Sequence, residues 1–365
     1  MTKILRWALA VCAGVMVINA AHAQPVDPKL AASWAYMQKE MPGVPYSLLK
    51  AACDEGALMI YHGTWDEAQD AQIAGFRQRF PCISVQKFTT TMGALRERFL
   101  AEFRAGRRDA DIYQESDTGT LDIMAGNKTL MNYKISNDAA FKPSTKKTGY
   151  WYPLRIALVG VAWNTDLVSP DEAKLLSEWK GVTNPAWKGR AAVVDPSGGG
   201  VAYLPWYAWT KLYGEGFVDQ IGALRPRVTA AINTASAALA SGDVAVILNA
   251  SETGLLPLWL KGAPIRWSLP SPAIGPLTGQ GIPSNAPHPN AAKLYQEYSF
   301  AEEGYGLWQK LGGAPARIGF KDQRKVASES WYKLPADIYA YDPAEATAAA
   351  PAINRHFTQT VTNRK

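Results

Sequence analysis

The stretch YWYPLRIALVGVAWN, residues Tyr150 to Asn164, decides the fold. Between Ile156 and Trp163 it carries no charge and is almost wholly apolar. A short apolar run of this kind is typical of a strand buried on both faces of a sheet. We predict that this strand passes from one lobe of the protein into a second lobe, and that a ligand binds where it crosses.

Strands and helices alternate on both sides of this stretch. The other predicted strands are short apolar runs that each end in a turn: Ala57–Tyr61, Ile83–Phe88, Ala110–Tyr113, Ala191–Val194 and Val244–Leu248. Alternation of this kind predicts an α/β protein, with mostly parallel sheets flanked by helices. We expect two lobes joined by two crossing hinge strands, with residues 24–155 and 285–365 in lobe 1 and residues 156–284 in lobe 2. The tail beyond Lys321 is expected to be peripheral.

The first 23 residues have the features of a cleaved signal peptide. Lys3 and Arg6 precede an apolar segment, and Ala21-His-Ala23 fits the small-x-small cleavage rule. Cleavage leaves 365 − 23 = 342 residues, a length that suits two lobes. An uncleaved membrane anchor is the alternative. We therefore expect a protein that is exported to the periplasm. We also expect it to be a monomer.

Charge and cysteine content narrow the function classes. Without the leader, 38 − 2 = 36 basic residues face 32 acidic ones, a net charge of +4 that is scattered along the chain. This pattern gives no support to nucleic-acid binding. Cys53 and Cys82 each lie just ahead of a predicted strand, and an export compartment permits oxidation. A disulfide and two buried thiols are both compatible with the sequence.

Polar or glycine-rich turns follow five of the predicted strands. They are residues 62–65, 89–91, 115–117, 197–200 and 249–252. Such turns present hydroxyl groups and free backbone N–H groups at the positive end of a helix dipole, which favours a carboxylate, phosphonate or phosphate. Ligands of open α/β sheets bind beyond the carboxyl ends of the strands. Plain helix capping is the alternative function of each turn.

Aromatic residues lie in or beside these turns. Trp65, Tyr152 and Tyr203 are predicted to stack on an organic ligand, whereas Trp206 is predicted to pack in a core. The full set of candidate ligand-binding residues is Thr64, Trp65, Glu115, Ser116, Tyr152, Arg155, Ser197, Gly198, Gly199, Tyr203, Asn249 and Ser251.

Arg155 has two possible roles. Its guanidinium could pair with a carboxylate of the ligand. It could instead bridge to Glu115 or Asp117 within the protein. The sequence leaves both open.

Signals for catalysis are weak. The sequence has no Walker loop, no Gly-x-Ser-x-Gly elbow, no Cys-x-x-Cys and no His-Glu-x-x-His motif. Beyond the leader, His62, His288 and His356 are far apart, which disfavours a histidine-built metal site. Glu115 and Glu252 could form the carboxylate pair that a glycosidase needs. Pairs of this kind occur in most proteins, so we expect no enzyme and no cofactor.

Several segments together resemble a known family. They are residues 48–61 (LLKAACDEGALMIY), 76–81 (FRQRFP), 107–113 (RRDADIY), 161–164 (VAWN), 195–198 (DPSG) and 286–294 (APHPNAAKL). Their order and spacing resemble the type II periplasmic solute-binding proteins of ABC transporters, in the branch of the ferric-ion-binding proteins. The resemblance extends from about Leu48 to Gly319 and implies two α/β lobes that close on a ligand.

The resemblance also bears on the ligand. Ferric members hold iron with a histidine after the first strand, a glutamate after the third, and two adjacent tyrosines after a strand of the second lobe. By position, Trp65 replaces the histidine, Glu115 matches the glutamate, and Ala250 and Ser251 replace the tyrosines. Three of these four ligands are therefore missing, and the resemblance implies a ferric scaffold adapted to an organic anion.

The sequence thus predicts a binding protein that closes on a small organic anion and delivers it to the membrane permease of an ABC importer. A ferric-ion-binding protein is the alternative within the same class. A secreted cleft hydrolase that uses Glu115 or Ser197 is the alternative of another class.

Overall fold

The computed structural model describes residues 25–63, 66–334 and 337–363. The predicted leader and the candidate ligand residues Thr64 and Trp65 lie outside the described residues. The strands are β1 (Ala57–His62), β2 (Ser84–Thr89), β3 (Ile112–Glu115), β4 (Trp151–Ile156), β5 (Val159–Asn164), β6 (Ala191–Val194), β7 (Arg227–Thr229), β8 (Val246–Ser251), β9 (Ile265–Ser268) and β10 (Leu277–Gly281).

The α-helices lie ahead of β1, between the strands and after β10. They are α1 (Ala31–Glu40), α2 (Tyr46–Glu55), α3 (Asp66–Arg79), α4 (Met92–Arg104), α5 (Thr118–Gly126), α6 (Pro170–Lys174), α7 (Gly200–Tyr213), α8 (Glu215–Ala223), α9 (Ile232–Ser241), α10 (Glu252–Leu260), α11 (Pro289–Phe300), α12 (Glu302–Gly312) and α13 (Pro343–Phe357). Among the described residues, no helix is long and apolar enough to cross a membrane.

Two five-stranded sheets form the two lobes, as the sequence predicts. Their strand orders are β2-β1-β3-β10-β4 in lobe 1 and β7-β6-β8-β5-β9 in lobe 2. Four strands of each sheet run in one direction, as expected for mostly parallel sheets. The fifth strand is reversed, since β10 runs antiparallel to β3 and β4, and β5 runs antiparallel to β8 and β9. The reason is that β3 and β8 end at the edge where the lobes meet, whereas β10 and β5 begin there.

The crossing segment is two strands rather than one. β4 ends at Ile156 in lobe 1 and β5 begins at Val159 in lobe 2, so Ala157 and Leu158 make the first crossing. The second crossing joins β9 to β10 and returns the chain to lobe 1 at Leu277. The return is earlier than the boundary at residue 285 that the sequence predicts.

The C-terminal part also differs from the prediction. Val326 and Tyr332 pack in one core of lobe 2, and Ala346 and Phe357 pack in its other core. The tail is therefore part of lobe 2 rather than peripheral or in lobe 1. Its apolar side chains cover aromatic residues of α7, such as Trp206, whose ring centroid is 4.7 Å from that of Phe357.

Lobe 1 contains the disulfide that the sequence left open. Cys53 at the end of α2 and Cys82 ahead of β2 are joined, with their Cα atoms 5.2 Å apart. Parallel pairing of β1 with β2 brings the starts of these strands together, Ala57 opposite Ser84. The bridge therefore closes the end of the sheet that is remote from lobe 2.

Candidate functional site

The register of the sheets places two predicted turns on either side of the crossing. Glu115, the last residue of β3, pairs with Gly279 of β10. Gly279 lies two residues after Leu277, where the chain re-enters lobe 1. Ser251, the last residue of β8, pairs with Val159, the first residue of β5. The carboxyl ends of β3 and β8 therefore lie beside the hinge, one in each lobe.

Lobe 1 presents a charged edge built around Glu115. This carboxylate is fully buried, and each of its oxygens accepts two hydrogen bonds. The N–H groups of Ser116 and Asp117 donate to Oε1 at 2.9 and 3.1 Å, while Arg96 Nε and the Tyr113 hydroxyl donate to Oε2 at 2.9 Å each. Glu115 is thus held in one orientation by the protein itself.

Arg96 is a site residue that the sequence analysis missed. It projects from α4, is about one-third exposed, and lies 3.5 Å from Asp117 as well as bonding to Glu115. The hydrogen bond to Glu115 raises the pKa of Arg96, so the guanidinium stays charged. In the sequence, Arg96 lies beside the apolar stripe of α4. That position does not show whether the arginine side chain points toward the core or toward solvent.

At the corresponding edge, lobe 2 presents a glycine-rich turn, residues 197–200. Asp195 caps a 3-10 turn, Pro196–Gly198, by accepting a hydrogen bond from Ser197 N at 2.8 Å. The chain then turns through Gly199 and Gly200, with φ of 67° and 50°, and α7 begins without a side-chain cap. These positive φ values suit glycine.

The start of α7 is open to an approaching group. Ser197 and the three glycines that follow are exposed. A Cβ added at Gly199 or Gly200 would meet no atom within 4 Å. The N–H groups of Ser197, Gly199 and Ala202 already donate within this turn, to Asp195 Oδ1, Pro196 O and Gly199 O. The N–H groups of Gly200 and Val201 lie at the positive end of α7, where the first N–H groups of a helix have no partner inside the helix. This edge can therefore receive an anion.

Two other predicted residues of lobe 2 hold the edge together. The Asn249 amide donates to Val194 O at 3.0 Å and accepts from Val194 N at 2.8 Å, which ties β8 to β6. The Ser251 hydroxyl lies 2.8 Å from that of Thr253 and caps α10. Both side chains are buried, so they position the edge rather than extend beyond it.

The two tyrosines predicted to stack on a ligand are engaged elsewhere. Tyr152 packs against Phe141 and Phe300 in lobe 1, and its hydroxyl donates to Asp138 at 3.0 Å. The Tyr203 hydroxyl donates to Ala346 O on α13 at 2.6 Å. We leave both out of the proposed site, because a ring buried inside one lobe cannot stack on a solute between the lobes.

Arg155 lies on β4, where it is almost wholly buried and its guanidinium is 5.8 Å from the Trp308 ring. Burial lowers the pKa of Arg155 to about 9. The cation that pairs with Glu115 and Asp117 is Arg96. Trp206 is buried in a core, as expected, with its indole N–H donating to Val194 O.

A cavity of about 780 Å³ lies beside the hinge. Its walls include Thr118 at the start of α5, the crossing residues Ile156 and Leu158, and the C-terminal residues Tyr341 and Pro343. No described residue of the predicted site lines this cavity. Among the described residues, no group of three or more His, Cys, Asp or Glu side chains is arranged to hold a metal ion.

Comparison with known proteins identifies relatives of this chain. Residues 59–305, about two thirds of the chain, match the family described as bacterial extracellular solute-binding protein. An uncharacterized protein of Haemophilus influenzae is 27% identical over 177 residues, which are 47% of this chain and 51% of that protein. The chain thus matches about half the length of this curated relative.

Two solved structures are similar in fold. Iron-bound HitA from Pseudomonas aeruginosa superimposes with a TM-score of 0.67 at 20% identity, covering 82% of this chain and 99% of HitA. The periplasmic binding protein AfuA from Actinobacillus pleuropneumoniae, with fructose-6-phosphate bound, gives a TM-score of 0.64 at 19% identity, covering 85% and 99%.

Proposed function

We propose, because the chain belongs to the family of bacterial extracellular solute-binding proteins, that it captures a small organic anion and delivers it to an ABC importer. In this proposal the protein acts in the periplasm, and its partner is the importer's membrane permease. The acidic group of the solute, a carboxylate, phosphonate or phosphate, binds at the start of α7.

The observation that carries the proposal is the uncapped start of α7. Ser197, Gly198, Gly199 and Gly200 are exposed, and they lie in the lobe edge next to β8. A Cβ at Gly199 or Gly200 would meet no atom within 4 Å, and α7 begins without a side-chain cap. Backbone N–H groups at a helix N-terminus bind anions without a cationic side chain. On lobe 1, Arg96 and Ser116 supply donors for the other end of the solute.

Binding and closure are linked in this proposal. A solute contacts both edges only when the lobes approach, so it stabilises the closed form over the open one. The two crossings at Ala157–Leu158 and between β9 and β10 are the segments that bend. The permease then takes the solute from the closed form.

The ferric alternative receives less support from the contacts. HitA is iron-bound, and AfuA is a structure with a sugar phosphate, so the shared fold accommodates both. Here each oxygen of Glu115 already accepts two hydrogen bonds. At the positions of the tyrosine pair, Ala250 packs in a core and Ser251 caps a helix.

The hydrolase alternative receives no support from the two glutamates. Glu115 is ion-paired with Arg96, and Glu252 with Arg324, so both carboxylates already have partners within the protein. Each histidine of the described residues has a partner other than Ser197: His62 pairs with Thr89, His288 with Asp111, and His356 with Asp219. A serine nucleophile needs an adjacent base.

A thermal-shift screen over organic acids, phosphonates and sugar phosphates tests the proposal. A solute at a hundredfold excess over its Kd stabilises the protein by about 2.7 kcal/mol. We expect Ser197→Asp to weaken binding of the identified solute at least tenfold, because the new carboxylate competes for the start of α7. Ser84→Asp, at the exposed beginning of β2, is the matched control.

Three results would contradict the proposal. They are a screen in which no anion stabilises the protein, a Ser197→Asp variant that binds as the wild type does, and conversion of the solute during incubation. Tyrosinate-to-iron colour on adding ferric citrate would favour the ferric alternative.

A further inference from the structure

The C-terminal segment Asp337–Ala346, here called the brace, crosses from the hinge to both lobes. It first runs beside the second crossing, where Ala273 N donates to Asp337 O at 2.9 Å and Tyr339 N donates to Ala273 O at 2.7 Å. The brace is therefore attached to the segment that bends when the lobes move.

The brace next contacts lobe 1 at the start of α5. An added Cβ at Gly119 would lie 2.7 Å from the Cβ of Pro343, a distance shorter than real contacts allow. Burial, and then the nearby charge of Asp117, raise the pKa of Tyr341. Gly119 is thus the residue that permits the brace to approach helix α5.

The brace is also fixed to lobe 2. Tyr203 on α7 donates its hydroxyl hydrogen to Ala346 O at 2.6 Å, and Lys211 on α7 forms an ion pair with Glu345. Asp342 caps α13 by accepting from Ala344 N at 2.8 Å. These contacts join the brace to the helix whose start we propose as the anion site.

We infer that the brace is a rigid spacer that sets how far apart the two lobe edges stand. One end of the brace is attached to the second crossing and the other end to α7 of lobe 2, while Pro343 contacts α5 of lobe 1. Proline fixes φ, and the cap holds the first turn of α13. Closure of the lobes therefore has to slide Gly119 along Pro343, whichever solute binds. This inference does not depend on the proposed anion.

Gly119→Ala tests the spacer, because it adds the one methyl group that the contact cannot accommodate. Spin labels at exposed Glu97 in lobe 1 and Lys180 in lobe 2 report the separation of the lobes by pulsed electron resonance. The labels are attached to Glu97→Cys and Lys180→Cys in the protein without residues 1–23, in which Cys53 and Cys82 are bonded to each other. We expect Gly119→Ala to shift the label distance to longer values.

Gly126→Ala is the matched control, since it lies on the same helix and its Cβ would meet nothing within 4 Å. Both changes replace a glycine of α5 with alanine, near opposite ends of the helix. The Cβ at Gly119 would also lie 3.2 Å from Asp117 Oδ1. A second substitution therefore separates the two neighbours: Pro343→Gly removes the opposing Cβ, whereas Pro343→Ala keeps it.

We expect Gly119→Ala/Pro343→Gly to return to the wild-type distance and Gly119→Ala/Pro343→Ala to remain shifted. The inference is overturned if Gly119→Ala matches Gly126→Ala, because the brace then yields without moving the lobes. It is equally overturned if Pro343→Gly restores nothing, because the shift then arises from Asp117.

Discussion

The two lobes share a layout but are held together by different means. In lobe 1, the disulfide joins residues 29 apart in the sequence, and Arg96 reaches Glu115 over 19 residues. In lobe 2, Arg324 reaches Glu252 over 72 residues, and Tyr203 reaches Ala346 over 143. Lobe 1 has long-range contacts as well, since Arg79 pairs with Glu303 across 224 residues. The lobes differ because lobe 1 contains the disulfide, whereas lobe 2 is completed by the end of the chain.

The two glutamates make the contrast specific. Glu115 ends β3 and Glu252 directly follows β8, two strands that end beside the hinge. Each glutamate is buried and paired with an arginine. Glu115 also accepts from a tyrosine and two backbone N–H groups, whereas Glu252 accepts from Trp267 and Arg324. Loss of the arginine therefore leaves far more uncompensated charge in lobe 2.

The largest expected effect is that of Arg324→Met. Removing one partner of a buried ion pair costs about 3–5 kcal/mol, because Glu252 and Asp322 remain buried. Urea unfolding measures this loss. We expect Arg96→Met to cost less, about 1–3 kcal/mol, since Glu115 keeps three donors. Equal losses of stability in the two variants would contradict the proposed difference between the lobes. Adding Glu252→Gln to Arg324→Met should recover part of the stability, because it removes the unpaired charge.

The next effect is that of Cys53→Ser/Cys82→Ser in lobe 1. A bridge over a loop of this length contributes about 3–4 kcal/mol in the chain-entropy model. We expect hydrogen exchange to rise in β1 and β2 and to stay unchanged in α7 and α13. If hydrogen exchange rose equally in both lobes, the stability of lobe 2 would depend on the disulfide of lobe 1 and not only on the C-terminal segment.

The smallest effect concerns Tyr203 and depends on pH. Tyr203→Phe removes one hydrogen bond, worth about 1 kcal/mol. Burial raises the pKa of Tyr203 to about 12, above the usual value of about 10. Its contribution is therefore complete below pH 10 and is lost as the pH rises through about 12. The stability difference between wild type and Tyr203→Phe should shrink over that range, and a constant difference would contradict the contact.

Local pattern predicts much of the fold. The apolar runs of Ala57–Tyr61 and Ala191–Val194 are strands, and the turn at residues 197–200 lies at a strand end beside the hinge. The sequence says less about Tyr152 and Tyr203, because an aromatic residue beside a turn can face the cleft or the core. Sequence position alone does not tell these apart.

What the sequence determined by itself is the two-lobed α/β scaffold, the crossing after Ile156 and the glycine-rich start of α7, since periodicity and turn chemistry act between residues close along the chain. Only the tertiary structure decided that Arg96 pairs with Glu115 and that residues from Arg324 onward pack in lobe 2. It also decided that Pro343 rests on Gly119. Those contacts depend on which surfaces the folded sheets bring together, and burial rather than local propensity selects them.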